Sequence, residues 1–167
     1  MNIYYIKQKL SLKDKYMIYD INEKPVLQVI GSSSTVTFER ILGNIFSIGH
    51  VLQVNNLEGE KQFIIKRKPG FIWKKYDITI GNDTICINQD KNLLIPKMHI
   101  KTQYNNYLIN GDIFGKNFSI LKDNVKVAQI SKKFLSLRDI YEICVYEEHA
   151  DKLVIAILIA IDSCYHN

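Results

Sequence analysis

Three short basic runs are the residues of this chain whose type and spacing best suit chemistry. Lys7 and Lys9 follow Ile6, Lys66, Arg67 and Lys68 follow Ile65, and Lys132 and Lys133 follow Ile130 and Ser131. Such a set holds anions: a guanidinium grips a phosphate as a fork, and ammonium groups act as point charges. On a strand the side chains alternate between faces. With Tyr4, Ile6, Gln8, Ile65 and Ile130 turned inward, Lys7, Lys9, Lys66, Lys68, Ser131 and Lys133 point outward. Arg67 and Lys132 then fall near a barrel mouth, where long stems carry charge to water. If the three runs end on one rim, they surround one anionic group. The competing use is protection of strands against aggregation. A second set, Phe71, Trp73, Lys74 and Lys75, joins large apolar groups to ammonium groups. It suits contact with a membrane interface, and equally the closing of a barrel end as core.

Other chemistries find little support. Cys86, Cys144 and Cys164 are widely spaced, with no C-x-x-C pair, and His50, His99, His149 and His166 are isolated. No metal site follows from that spacing. Cys144 with His149 and Cys164 with His166 are neighbours in sequence, but neither pair sits in a recognisable nucleophile turn. The expectation is a protein that is not an enzyme and carries no cofactor. Lys7-Gln8-Lys9 beside Tyr4 and Tyr5 is a faint basic and aromatic pattern, and the sequence argues against nucleic acid. Asp112 follows a glycine and reads as a turn residue satisfying local backbone donors. Asp162 ends an apolar run, where a carboxylate opposes the helix dipole and so calls for a specific partner.

The elements that position these residues follow from composition and pattern. The chain has 167 residues, 47% hydrophobic and 23% charged, with a net charge of +5. That predicts a single domain over 1–167 with a real core, and the apolar content argues against disorder. The first residues lack an apolar signal core, and unpatterned thiols fit a reducing compartment. A cytoplasmic monomer, peripheral to a membrane if bound to one, is the expectation.

Short alternating runs separated by turn residues recur along the chain, at 3–10, 15–19, 25–30, 35–38, 49–54, 62–67, 76–80, 84–88, 98–102, 106–109, 117–121, 125–130 and 140–146. About a dozen strands at this spacing predict a barrel or sandwich. Leu153–Ile161 is wholly apolar and follows Glu147, Glu148 and Asp151. It is too short for a span, which needs about 20 residues, and a helix apolar all round must be buried on all sides. A closed sheet around that helix satisfies both observations. Internal repetition supports it: Ile6 to Leu10 then Tyr16-Met17-Ile18, Ile65 to Pro69 then Tyr76-Asp77-Ile78, and Ile130 to Phe134 then Tyr141-Glu142-Ile143. A second unit alternates with these, Gly43-Asn44-Ile45-Phe46 and Gly111-Asp112-Ile113-Phe114.

Together the Ile-Lys-Gln-Lys start (6–9), Tyr-x-Ile-Tyr-Asp (16–20), Gly-Asp-Ile-Phe-Gly (111–115), Ile-Ser-Lys-Lys-Phe (130–134) and Ala-Ile-Leu-Ile-Ala-Ile-Asp (156–162) resemble the LURP-one-related family. That family is grouped with the tubby C-terminal-like proteins and the phospholipid scramblases. The resemblance implies an all-β fold with one helix: a closed antiparallel barrel of about twelve strands around a buried C-terminal helix. Ser32-Ser33-Ser34-Thr35 and Pro69-Gly70 depart from the family pattern. Tubby-type domains bind phosphoinositide headgroups through surface Lys and Arg, and scramblases act with calcium. No acidic calcium-loop pattern occurs here. The leading expectation is therefore a non-catalytic binding module for anionic phospholipid headgroups or for a protein partner. The alternatives are an enzyme with a barrel-mouth pocket and a purely structural scaffold.

Overall fold

The computed structural model describes residues 1–8, 16–31, 51–68, 75–89, 98–101, 105–113, 117–133 and 140–165. Twelve strands are found among them: β1 (Asn2–Gln8), β2 (Tyr16–Asp20), β3 (Pro25–Gly31), β4 (Val51–Asn55), β5 (Lys61–Lys68), β6 (Lys75–Ile80), β7 (Asp83–Gln89), β8 (Met98–Lys101), β9 (Asn106–Asp112), β10 (Asn117–Lys122), β11 (Val125–Lys133) and β12 (Ile140–Val145). A C-terminal helix, α1, runs over Asp151–Tyr165. The strand expected at 35–38, the Gly43–Phe46 unit and the Ser32–Thr35 and Pro69-Gly70 departures lie outside the described residues.

Alternation explains the strands. In β12 half-buried and buried positions interleave without a break, with Tyr141, Ile143 and Val145 inward. In β5, Phe63 and Ile65 are inward, and in β6, Tyr76 and Ile78. Each strand pairs antiparallel with its neighbours in sequence, and β1 pairs with both β2 and β12. The hydrogen-bonded order therefore closes on itself. The wall is uneven. The β8–β9 ladder holds His99, Ile100 and Lys101 against Leu108, Tyr107 and Asn106, whereas β1–β12 and β11–β12 each run the full length of β12.

The helix explains the inward faces. Val154, Ile155, Ala156, Ile157, Leu158, Ile159, Ala160 and Ile161 are all buried, on every side of the helix. They join the inward residues of the strands in one core, and the helix packs most closely on β5, β6 and β12. Asp151 stands in its first turn, as the dipole favours.

Turn residues set the ends. Asp123 and Asn124 both take positive φ, the pattern of a two-residue hairpin turn between β10 and β11. Asp20 caps the β2–β3 turn by accepting hydrogen bonds from the backbone N–H groups of Asn22 and Lys24, each at 2.9 Å. Asp112, expected in a turn, is instead the last residue of β9. The cause is its neighbour: Gly111, at φ +123, lets the strand continue opposite Phe118. A Cβ on Gly111 would lie 2.8 Å from the Asn117 carbonyl oxygen and 2.9 Å from the Phe118 Cα. Gly111→Ala is therefore expected to cost about 2–4 kcal/mol in urea unfolding, from backbone strain plus displacement of β10. A loss under roughly 0.5 kcal/mol, the scale of a neutral surface change, would show that β10 is not held so close.

Candidate functional site

Neighbouring strands are antiparallel, so all odd-numbered strands finish at the same end of the barrel. Lys7 near the end of β1, Lys66, Arg67 and Lys68 at the end of β5, and Lys132 and Lys133 at the end of β11 therefore share one rim. Lys75, the first residue of β6, joins them opposite Lys68. They do not gather at one point. In the ring order β5 and β11 are six places apart in either direction, on opposite sides of the barrel. The three runs thus form a crown around the rim and not a clamp on one small anion. Lys9, Phe71, Trp73 and Lys74 lie outside the described residues.

Partners divide the crown. Lys68 forms an ion pair with Asp77 at 2.9 Å and Lys133 one with Glu142 at 3.0 Å. Hydrogen bonds to these carboxylates, with their charge, hold both ammonium groups above the usual lysine range. The Lys7 ammonium stands 4.6 Å from the centre of the Tyr19 ring, a cation–π contact. Lys66, Arg67 and Lys75 have no ion-pair partner among the described residues. Lys68 and Lys75 face each other directly in the ladder, an arrangement of like charges that costs stability. The β5–β6 end is thus the part of the crown with positive charge to spare.

Inside the same rim lies a polar cluster that the basic runs alone do not reveal. Asp162, near the end of α1, is buried at 5% exposure. It accepts hydrogen bonds from the Tyr16 hydroxyl at 2.6 Å and from the Tyr141 hydroxyl. Tyr16 and Tyr141 open the Tyr-x-Ile segments of two repeats, and the third repeat supplies Tyr76, also buried. In the ladders Tyr16 faces Gln8, Tyr76 faces Arg67 and Tyr141 faces Lys132. The repeat therefore has a structural meaning: each unit sends a tyrosine into the mouth, and two of them secure the end of the central helix. The partner expected for Asp162 is this pair of phenols.

The thiols of Cys86 and Cys144 are poorly suited to act as nucleophiles. Burial first, and then the hydrogen bond to Asp77 at 3.4 Å, pushes the Cys86 thiol up. Burial followed by the Glu142 charge does the same to Cys144. Both are thus held in the thiol form. Among the described residues no group of three His, Cys, Asp or Glu side chains is placed to hold a metal ion. No described helix is long and apolar enough to cross a membrane.

Fold and site together define a β-barrel built around its own C-terminal helix, with one basic rim. The chain belongs to the LURP-one-related family, whose model matches residues 2–162. It is 29% identical over 165 residues to the uncharacterized protein YxjI of Bacillus subtilis strain 168, covering 98% of this chain and 93% of that protein. A protein from Arabidopsis thaliana with a known X-ray structure has a similar fold, with a TM-score of 0.54 at 12% identity, over 98% of this chain and 91% of that one. That likeness concerns fold alone.

Proposed function

We propose that the protein is a non-catalytic module that docks its basic rim end-on against an anionic phospholipid surface. The observation that supports this most is the β5–β6 end, where Lys66, Arg67 and Lys75 have no ion-pair partner among the described residues and Lys75 stands opposite Lys68, itself paired with Asp77. Stability alone does not favour like charges opposed in a ladder, whereas a dense negative surface would offset their repulsion. The spread of Lys7, Lys132 and Lys133 around the rest of the rim suits a plane of headgroups better than a single phosphate. Each basic residue near an anionic membrane contributes about 1 kcal/mol, so several acting together give measurable peripheral attachment.

Co-sedimentation with liposomes tests the reading. Binding is expected to vesicles containing phosphatidylserine or phosphoinositide and not to neutral ones, and to weaken as salt rises. The double variant Lys66→Glu and Arg67→Glu should lose affinity by at least about tenfold, since two attractions become repulsions. Equal binding to neutral vesicles, or an unaffected double variant, would remove the basis of the proposal.

A further inference from the structure

The opposite end of the barrel holds a cavity of about 530 Å³ between the start of α1 and the first residues of β1 and β3. It has the size of a small-molecule site. Val26, Leu27 and Ile155 give it apolar walls, and Tyr4 and Asp151 give it polar groups. Its shape has a local cause. The β2–β3 ladder steps by one residue between Ile18 and Tyr19, which pair with Leu27 and Pro25 and leave Val26 as the extra residue. Val26 and Leu27, adjacent in sequence, consequently both line the space.

Carboxylates supply the charge that acts on the Tyr4 phenol. Asp151 accepts a hydrogen bond from the Asn2 side-chain amide at 2.9 Å, a neutral donor. Asp20, opposite Tyr4 in the β1–β2 ladder, is engaged by the backbone N–H groups of its own turn. Neither carboxylate has an ion-pair partner among the described residues. Burial, then Asp151 and then Asp20 push the Tyr4 phenol up to about 12, with no cation offsetting them at that point. Lys152 and His149 also border the cavity, but both are exposed, and His149 lies 3.6 Å from Glu148.

We propose that this cavity binds an organic ammonium group carried on an apolar chain. The chain would lie on Val26, Leu27 and Ile155, and the ammonium would meet the Asp151 carboxylate beside the Tyr4 ring. An aromatic face next to a carboxylate is favourable to such a cation, whereas an anion of the same shape meets repulsion. The site is at the end away from the basic rim, so it stands whether or not that rim meets a membrane.

The test is an NMR titration of the amide signals of the full chain with n-hexylammonium, hexanol and hexanoate. Saturable shifts at Val26, Leu27 and Ile155 are expected with n-hexylammonium, and weaker or absent ones with the other two. Asp151→Asn should weaken binding by about threefold to fivefold, the effect of one partly exposed charge pair. Val26→Trp should abolish it by filling the space while the rest of the spectrum keeps its folded dispersion. Absent shifts with n-hexylammonium, or hexanol or hexanoate binding as well as it, would overturn the proposal. A parallel titration with N-acetyl-lysine methylamide separates the sources. Binding of both ammonium compounds indicates a lysine of a polypeptide, and binding of n-hexylammonium alone a free amine.

Discussion

Ile157→Asp should yield no folded protein. Ile157 is completely buried at the middle of the central helix, with apolar neighbours on every side. A carboxylate there has no partner and no route to water. Its burial costs several kcal/mol even if it is protonated, against a total stability of about 5–15 kcal/mol for an ordinary domain. Circular dichroism and solubility on expression report the outcome. Ile157→Val serves as the control, since loss of one buried methylene costs only about 0.5–1.5 kcal/mol. A soluble, cooperatively folding Asp variant would place the helix somewhere other than the interior.

Asp162→Ala should be the next most damaging change. It strips the Tyr16 and Tyr141 hydroxyls of an acceptor in a buried site. Each unmet donor costs about 1–3 kcal/mol, so a loss of about 2–5 kcal/mol in urea unfolding is expected. The sharper measurement is the triple variant with Tyr16→Phe and Tyr141→Phe added. Removing donors that have lost their acceptor relieves their desolvation penalty, so the triple variant should regain part of the loss. If it is no more stable than Asp162→Ala alone, the three groups do not act as one unit.

The strands were legible because alternation is local. The runs read at 15–19, 62–67 and 117–121 correspond to β2, β5 and β10 within a residue or two at each end. The central helix was legible because Leu153–Ile161 has no polar face. What the chain did not disclose depends on pairings across long separations. Asp162 meets Tyr16 from 146 residues away, a contact created by the return of β12 to β1. Nothing near either residue announces it, although the repetition of Tyr-x-Ile was a visible signal without a visible purpose. The basic runs were legible as runs, but not their division into paired and unpaired charges. That division follows from cross-strand register, which sets Asp77 opposite Lys66 and within reach of Lys68, and sets Lys75 opposite Lys68. The cavity at the other end was hidden for a similar reason, since a one-residue step between β2 and β3 leaves no mark on the alternation.

The ladder between β1 and β12 also carries a consequence for how the molecule is made. Eleven of the twelve ladders join strands that follow one another in the chain, and these contacts can form as synthesis proceeds. The twelfth brings Asn2 to Val145, and the helix that fills the interior follows β12. A nascent chain on the ribosome therefore spends most of its synthesis as a curling sheet with two unsatisfied edges and an empty concave face. Exposed edges of that kind invite pairing with other chains. Charge on an edge strand opposes such pairing, and Lys7 lies on β1, the strand whose second partner is β12.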